Sequence, residues 1–392
     1  DANFNRLGGA NVGGYEQFSH SRYDELAGRL IWTRAQLAGM AVELGGEVAS
    51  NTLTDASQLY ALNGSGARVP VILPVANATV SELRGEGWVQ AGRALGRNLR
   101  LDARLAYERS SLEVSGDATT HRSLGFLKPS LTLDWKGAGG WHAQASLRRT
   151  VAQLNFFDFI ANAELASGQI SGGNANLFPQ RAWEGRLTLD HPLLGKGLAK
   201  LELGYDRVSA LQDRILTPAG FDAPGNLGEA SRRFARLTLD APLDRLGLKQ
   251  TRLRAEGRVQ TTAVADPLTG TTRGWSGFWP GWDWQVEARR DFAKLSLGLT
   301  MQDRAPTAIY LTDEVDRRGS LGPFATLFAE YRPDKQTTMR LDVDNLFDLG
   351  STRDRSFYAP SRVALSPTLD EYRFRNSHPM ISATLRRTFS QG

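Results

Sequence analysis

Short stretches that alternate apolar with polar or charged residues recur along the whole of this chain. A period of two is that of a β-strand, whose side chains point alternately to opposite faces. The polar face carries Asp, Glu, Arg and Lys in strand after strand, which a closed barrel with a wet interior and an apolar exterior accepts. The pattern therefore predicts an all-β, antiparallel transmembrane β-barrel. The clearest copies span residues 101–107, 130–135, 187–190, 201–205, 237–240 and 339–344.

The composition narrows the possible classes of fold and function further. No apolar run approaches the roughly 20 residues that a membrane-spanning helix requires, and no linker or shift in composition divides the 392 residues into domains. The net charge of +5 comes from 47 basic and 42 acidic residues that are mixed throughout, so no nucleic-acid partner is predicted. There is no cysteine, and the 5 histidines show no metal-ligand spacing. We expect neither an enzyme nor a bound cofactor or metal.

The connections between the predicted strands alternate in length. About fifteen strands are predicted from residue 20 to 389. Outer-membrane barrels have short turns on the periplasmic side and long loops outside, so the alternation predicts which way each strand runs. The short turns lie at 34–37, 95–98, 136–140, 193–197, 242–248, 291–294 and 331–336, and the long loops at about 62–79, 112–121, 155–180, 213–227, 263–279, 303–318 and 350–370.

Counting back from the last strand, predicted at 372–389, gives an unusual beginning. The first strand, at about 20–33, also runs inward, so Asp1 would lie outside the cell. Bacterial single-chain barrels have an even number of strands with both ends in the periplasm. We therefore expect an incomplete barrel, with residues 1–19 as the remainder of an extracellular loop. A miscount by one strand would restore the usual arrangement.

Several motifs resemble the carboxy-terminal barrel of TonB-dependent receptors. Residues 172–180 (GGNANLFPQ), followed by Trp183 and Glu184, are similar to a loop of that family that enters a strand carrying Glu. Residues 225–230 (GNLGEA) and 341–348 (LDVDNLFD) are similar to two further motifs. The chain ends on an alternating strand with Phe389, although Arg387 departs from the usual terminal pattern and residues 390–392 extend beyond it. The motifs cover roughly 150–389.

This resemblance implies a barrel of about 22 strands with an internal plug. Residues 1–392 would be its carboxy-terminal part, from the eighth strand to the last, with 20–389 as barrel strands and 390–392 as a tail. On this resemblance, the plug, the remaining strands and the segment that engages TonB would lie outside these 392 residues. They would be partners of this chain, either as a separate polypeptide or as a missing part of the same one, together with outer-membrane lipid.

The loops contain the candidate binding residues. A ring of arginine and aromatic side chains above a lumen would suit an anionic or aromatic small molecule. Exposed loops also carry arginine for solubility, so each assignment is a hypothesis. Trp279, Trp282 and Trp284 are instead expected in an aromatic girdle at the membrane interface. The predicted substrate-binding residues are Arg273, Trp275, Tyr310, Arg317, Arg353, Arg355 and Tyr358.

The function that these patterns and the resemblance indicate is TonB-dependent uptake of a scarce nutrient across the outer membrane of a Gram-negative bacterium. Two alternatives remain open at this point. One is a passive, porin-like channel without a plug. The other is a soluble all-β binding protein, whose core would have to bury many charges at a cost of several kcal/mol each unless they are paired.

Overall fold

The computed structural model describes residues 2–7, 10–73, 75–164, 169–218 and 220–389. Expectations about Asp1, Gly8, Gly9 and the tail at 390–392 lie outside these residues. The chain forms two compact units, each described by itself below. The first unit is Asp1–Thr132, Leu147–Glu184 and Arg207–Ala230, and the second is Leu133–Ser146, Gly185–Asp206 and Ser231–Gly392.

Strands dominate the part of the chain that the structure describes. Four short 3₁₀ helices lie at Ala138–Gly140, Phe156–Phe159, Leu243–Leu246 and Arg362–Ala364. The strands up to residue 209 are β1 (Ala2–Leu7), β2 (Ala10–Leu37), β3 (Met40–Leu62), β4 (Arg68–Val71), β5 (Asn77–Ala94), β6 (Leu99–Gly116), β7 (Thr120–Lys136), β8 (His142–Val151), β9 (Asn162–Glu164), β10 (Gln169–Ser171), β11 (Arg181–Leu193) and β12 (Gly197–Ser209).

The remaining strands are β13 (Gln212–Leu216), β14 (Asp222–Asn226), β15 (Ala230–Pro242), β16 (Thr251–Ala265), β17 (Thr272–Arg273), β18 (Trp282–Asp291), β19 (Leu295–Arg304), β20 (Thr307–Tyr310), β21 (Glu314–Ser320), β22 (Phe324–Tyr331), β23 (Thr337–Asp344), β24 (Ser351–Phe357), β25 (Leu369–Arg375) and β26 (Met380–Arg387). No helix among the described residues combines the length and the apolar character needed to cross a bilayer.

The first unit is built on long antiparallel hairpins. β2 pairs with β3, β3 with β5, and β5 with β6. Ala38 and Gly39, both with positive φ, form the tight turn between β2 and β3, as two-residue hairpin loops require. Residues 10–19, expected to be loop, belong to β2 and pair partly with β1. The loop predicted at 112–121 is also too long, because β6 continues to Gly116 and β7 begins at Thr120.

The second unit has a comparable antiparallel sheet. In it, β16 pairs with β18, β18 with β19, β19 with β22, β22 with β23, and β23 with β26. A separate four-stranded sheet is formed by β20, β21, β24 and β25. The last strand was predicted at 372–389. Residues 372–375 belong instead to β25, and β26 begins only at Met380, because the connection before it folds into its own sheet.

The polarity of the long strands is inverted relative to a soluble protein. Leu341 is 46% exposed, whereas the side chain of its neighbour Asp342 is only 16% exposed and pairs with Arg340 at 2.7 Å. The predicted division into an apolar and a charged face is thus confirmed, with the apolar face outermost. Other predicted apolar-face residues that are exposed are Leu131, Leu133, Trp135, Leu187, Leu189 and Leu237.

The apolar core of the first unit lies on the charged face, near the ends of the strands. There two parts of the connection after β8, residues 156–160 and 175–177, pack against the sheet. Phe159 and Leu177 are fully buried, and they pack against strand residues whose side chains share a face with Glu47, Arg84 and Glu108 further along. The core contains Leu53, Ala78, Val80, Leu112, Val114, Phe156, Phe159, Ile160, Ala175 and Leu177.

Candidate ligand-binding loops

The long connections of the second unit are held together by buried ion pairs. Asp266 is 2% exposed and lies between two arginines. Its carboxylate accepts from Arg273 Nε at 2.8 Å and from Arg362 Nη1 at 2.7 Å. Tyr310 completes the group, with the guanidinium of Arg273 4.5 Å and that of Arg362 5.7 Å from its ring centre. We name Asp266, Arg273, Arg362 and Tyr310 the loop brace.

The carboxylate of the loop brace stays ionised although it is buried. Burial alone would raise the pKa of Asp266, but hydrogen bonds from Arg362 and from the amides of Leu268 and Thr269 outweigh it and lower that pKa to about 2. A carboxylate that accepts several hydrogen bonds stays charged in this way. Asp266 and Arg362 are 96 positions apart in the sequence, so the brace connects two separate loops.

A second group of ion pairs joins β21 to β24. Glu314 accepts from Arg355 at 2.6 and 2.8 Å, in the bidentate geometry that makes such pairs specific. Asp316, which is 1% exposed, accepts from Arg353 at 2.9 Å and from Arg318 at 2.8 Å. Burial opposes ionisation of Asp316, but the two arginines keep its pKa below the usual value. The Glu314 carboxylate likewise raises the pKa of Arg355.

The remaining predicted binding residues are placed differently. Trp275 is 5% exposed, and its indole N–H donates to Ala263 O at 3.2 Å. It also packs edge-to-face on Trp279, with ring centres 4.9 Å apart. Arg317 is exposed, and it makes no ion pair with another described residue. Tyr358 is half-buried, and its backbone N–H donates to Asp313 O at 2.8 Å.

The structure therefore brings the predicted residues into two internal networks rather than one open ring. Arg273, Tyr310, Arg353 and Arg355 contact protein groups that satisfy their charges or rings, and Trp275 is buried. Their role in ligand binding stays a prediction. Of the seven, Arg317 has the most exposed charge. The aromatic side chains predicted at the membrane interface are partly exposed, with Trp282 at 41% and Trp279 at 38%.

A cavity of about 560 Å³ lies on the charged face of β16, β18, β19 and β22. Phe278 borders it, and Arg304 stacks on the Phe278 ring at 4.4 Å. Gln285, Gln302 and Phe324 also line it. Sequence reasoning missed this site. Its signal was an aromatic residue, Phe324, at a position where the alternation calls for a polar side chain.

The motif at 172–180 proves to anchor the connection that covers the first unit's core. Asn174 donates from Nδ2 to Pro224 O at 2.9 Å, while its Oδ1 accepts from the Asn176 amide. A Cβ on Gly173 would lie 2.3 Å from Phe159 O, so only glycine fits there. Arg122 on β7 donates to Leu177 O at 2.8 Å. These residues fix a loop, so the motif is structural in this chain.

The motif at 341–348 has a similar role in the second unit. Asn345 is 3% exposed and has positive φ, at 53°. Its Nδ2 donates to Leu349 O at 3.0 Å and to Ser377 O, and its Oδ1 accepts from the Leu349 amide at 3.1 Å. Asn345 thereby ties the end of β23 to the residues just before β26. Asn is one of the few residues that tolerate this conformation.

The described residues contain no group of three or more His, Asp or Glu side chains arranged to hold an ion. His142 is a case in point, since its two ring nitrogens contact Asp134 at 2.7 Å and Asp190 at 2.8 Å. The imidazole therefore links side chains on β7, β8 and β11, and it is a hydrogen-bond partner of both carboxylates.

Comparisons with known proteins identify the fold. No family model matches the sequence, and no curated protein is similar to it. Solved structures are similar, among them the copper transporter OprC, with 12% identity and a TM-score of 0.68 over 97% of this chain and 58% of that chain. The unliganded ferric citrate transporter FecA has 11% identity and a TM-score of 0.66 over 99% of this chain and 57% of its own.

A third similar structure is the pyoverdine receptor FpvA from Pseudomonas aeruginosa PAO1, bound to pyoverdine. Its identity is 13% and its TM-score 0.65, over 97% of this chain and 54% of that chain. These neighbours are TonB-dependent outer-membrane receptors. The chain thus has the antiparallel fold of their barrels, as the motifs predicted, and it spans little more than half their length. At these identities the likeness shows the fold alone.

Proposed function

We propose that this chain forms part of the wall and the extracellular loops of a TonB-dependent transporter in a Gram-negative outer membrane. The observation that carries the proposal is the inverted polarity of the long strands. Leu131, Leu187, Leu237 and Leu341 are each more than a third exposed, an arrangement that is costly in water and favourable in hydrocarbon. The opposite face carries ion pairs that a water-filled interior would solvate.

The charged face supports a role as an inner wall. Lys128 contacts Glu86 and Glu108, and Arg104 contacts Glu86 at 3.1 Å. Arg84 continues the series to Glu47 at 3.0 Å. Such a ladder of alternating charges crosses β3, β5, β6 and β7 and leaves no large excess of one sign. A wall of this kind lets a polar solute pass without trapping it.

The strand edges support a requirement for partner strands. Over residues 18–36, β2 pairs with β3 on one side, and no described strand pairs with its other side. β26 pairs with β23, and its other side is likewise without a described strand. Unpaired backbone groups in hydrocarbon cost several kcal/mol each. The partners we propose are the amino-terminal strands and the plug, with TonB contacted through the segment that precedes the plug.

Transport can be tested in cells that carry the complete receptor. The probes are copper, ferric citrate and maltohexaose; the first two are named for the similar transporters, and the third represents neutral solutes. We expect the protein in the outer-membrane fraction and accumulation of at least one probe that stops when TonB is deleted. Equal accumulation with and without TonB would identify a passive channel instead, and recovery in the soluble fraction would refute the membrane location.

A further inference from the structure

Aligned side chains on four neighbouring strands form the floor of the cavity that Phe278 borders. Directly paired residues on β16, β18, β19 and β22 form one row across four strands: Glu256, Gln285, Gln302 and Phe324. Because neighbouring strands are about 4.8 Å apart, the row is about 14 Å long. A second row faces the same side and lies two residues closer to the ends of the strands that carry the long connections. It consists of Arg258, Asp283 and Arg304.

The charges of the cavity do not favour an anion. Two arginines and three carboxylates line it, so there is no excess of positive charge. Arg258 is paired with Asp283 at 2.7 Å, and Arg304 stacks on Phe278. An anionic ligand would have to compete with Asp283 for the Arg258 guanidinium and would lie close to the other two carboxylates. The sequence alone had suggested a different ligand, an anionic or aromatic molecule bound by a ring of loop arginine and aromatic side chains.

The groups that remain available are amides and aromatic faces. Gln285 and Gln302 are exposed, and neither side chain hydrogen-bonds to another described residue. An amide offers donors and acceptors together, which is what a hydroxyl group needs. Phe278 is 62% exposed and Phe324 40% exposed. Exposed aromatic rings on a polar wall are suited to the flat C–H face of a ligand ring.

We infer that this cavity binds a neutral, polyhydroxylated ligand of the carbohydrate class. The inference rests on the proposed function and names a substrate class for it. Phe324 ends the row beside the two amides, and Phe278 stacks on Arg304 of the second row. These amides and aromatic faces match a chain of rings whose faces are apolar and whose rims carry hydroxyls. The length of the row accommodates more than one ring, so an oligosaccharide is favoured over a monosaccharide.

An extended peptide fits the cavity less well. Peptides bind to sheets by adding a strand to a free edge, but β18 and β19 are each paired on both sides. The row also offers no series of apolar pockets for alternate side chains, since Glu256, Gln285 and Gln302 are polar. A peptide is therefore an outcome that the test must be able to reveal.

The test is a binding titration on the purified full-length receptor in detergent. The probes are maltohexaose, cellohexaose and chitohexaose, with ferric citrate and a hexapeptide of glycine as the anionic and peptide comparisons. We expect at least one neutral hexasaccharide to bind, and Phe278→Ala or Gln302→Leu to weaken that binding at least about tenfold. Phe292→Ala is the matched control, because Phe292 is 43% exposed beyond the opposite end of β18 and should leave affinity unchanged.

Several results would overturn the inference. They are the absence of hexasaccharide binding up to about 10 mM, equal weakening by Phe292→Ala, or tighter binding of ferric citrate or the peptide that is lost in Phe278→Ala. This titration does not require TonB. Binding that persists while TonB-dependent accumulation fails would refute the transport proposal and leave the ligand class standing. The reverse result would refute the ligand class alone.

Discussion

The buried carboxylate of the loop brace gives the sharpest local prediction, for which we propose Asp266→Asn. The change removes the carboxylate charge that the buried Arg273 and Arg362 share. The fall in the pKa of Asp266 from 3.8 to about 2 corresponds to roughly 2 kcal/mol in favour of the charged form. Removing one partner from a buried pair costs roughly 3–5 kcal/mol. We expect a local loss of roughly 2–4 kcal/mol, confined to the two loops that the brace connects.

Hydrogen exchange at single residues can measure this loss. The amides of Leu268 and Thr269 donate to Asp266 Oδ1 at 2.9 and 3.2 Å, and that of Gly270 donates to Asp266 O at 2.9 Å. In Asp266→Asn these amides should exchange about 30 to 1000 times faster, because each tenfold corresponds to about 1.4 kcal/mol. Asp370→Asn, at an exposed position on β25, is the control and should leave them unchanged.

The stability of the two loops should also depend on pH, and it should decrease as the pH falls. Since the folded protein lowers the pKa of Asp266, this carboxylate stabilises the loops above pH 3.8, and the contribution is lost as the pH falls toward about 2. Acidification should therefore reproduce the Asp266→Asn exchange pattern in the wild-type chain and change little in the variant. Unchanged exchange at residues 268–270 in the variant, or acceleration spread evenly over β16 and β18, would refute this reasoning.

Three further sets of changes test the wall, a turn and the last strand. Leu341→Arg should cost about 2–4 kcal/mol in a bilayer and Asp342→Asn less than about 1 kcal/mol, as measured by unfolding in lipid; comparable losses would contradict the assignment of faces. Asn345→Ala should cost about 2–3 kcal/mol through its lost hydrogen bonds, and Asn345→Gly, which keeps the backbone conformation, should recover less than half of that in the same measurement. Deleting Phe389 with residues 390–392 should reduce membrane assembly far more than deleting 390–392 alone, and equal assembly would exclude a role for the terminal aromatic residue.

The strands could be predicted from the sequence because their signal is local. Alternation along β23 is visible within eight residues, and the polar turn at 95–98 follows directly from its neighbours. The predicted turn at 34–37 was displaced to Ala38 and Gly39 because the alternation fades near strand ends. Residues 10–19 were misassigned because the first strand was expected to begin only at about residue 20, while pairing with β3 and β1 extends that strand toward the amino terminus.

The loops could not be predicted because their order depends on distant residues. Arg273 and Arg355 suggested a ring open to a ligand, but Asp266 and Glu314 satisfy their charges. Asp266 is also held by Arg362, which comes from a different loop. Loop residues 156–160 and 175–177 belong to an apolar core that only the facing strands complete. A period of two reveals contacts along a strand but not contacts between distant loops. The sequence therefore indicated the arginines and aromatic residues but not the carboxylates that pair with the arginines. The cavity row was missed because it consists of four residues on four strands.

The most direct test of the account is the environment of each side chain along β23. The chain has no cysteine, so single cysteines at residues 338–344 can carry a nitroxide label in the receptor reconstituted in a lipid bilayer. Collision rates with oxygen report lipid, and those with a water-soluble nickel chelate report water. We predict oxygen maxima at Met339, Leu341 and Val343 and nickel maxima at Thr338, Arg340 and Asp342, with a period of two. Rates without this period, or with the two sets exchanged, would contradict the account of the chain as a membrane-spanning wall.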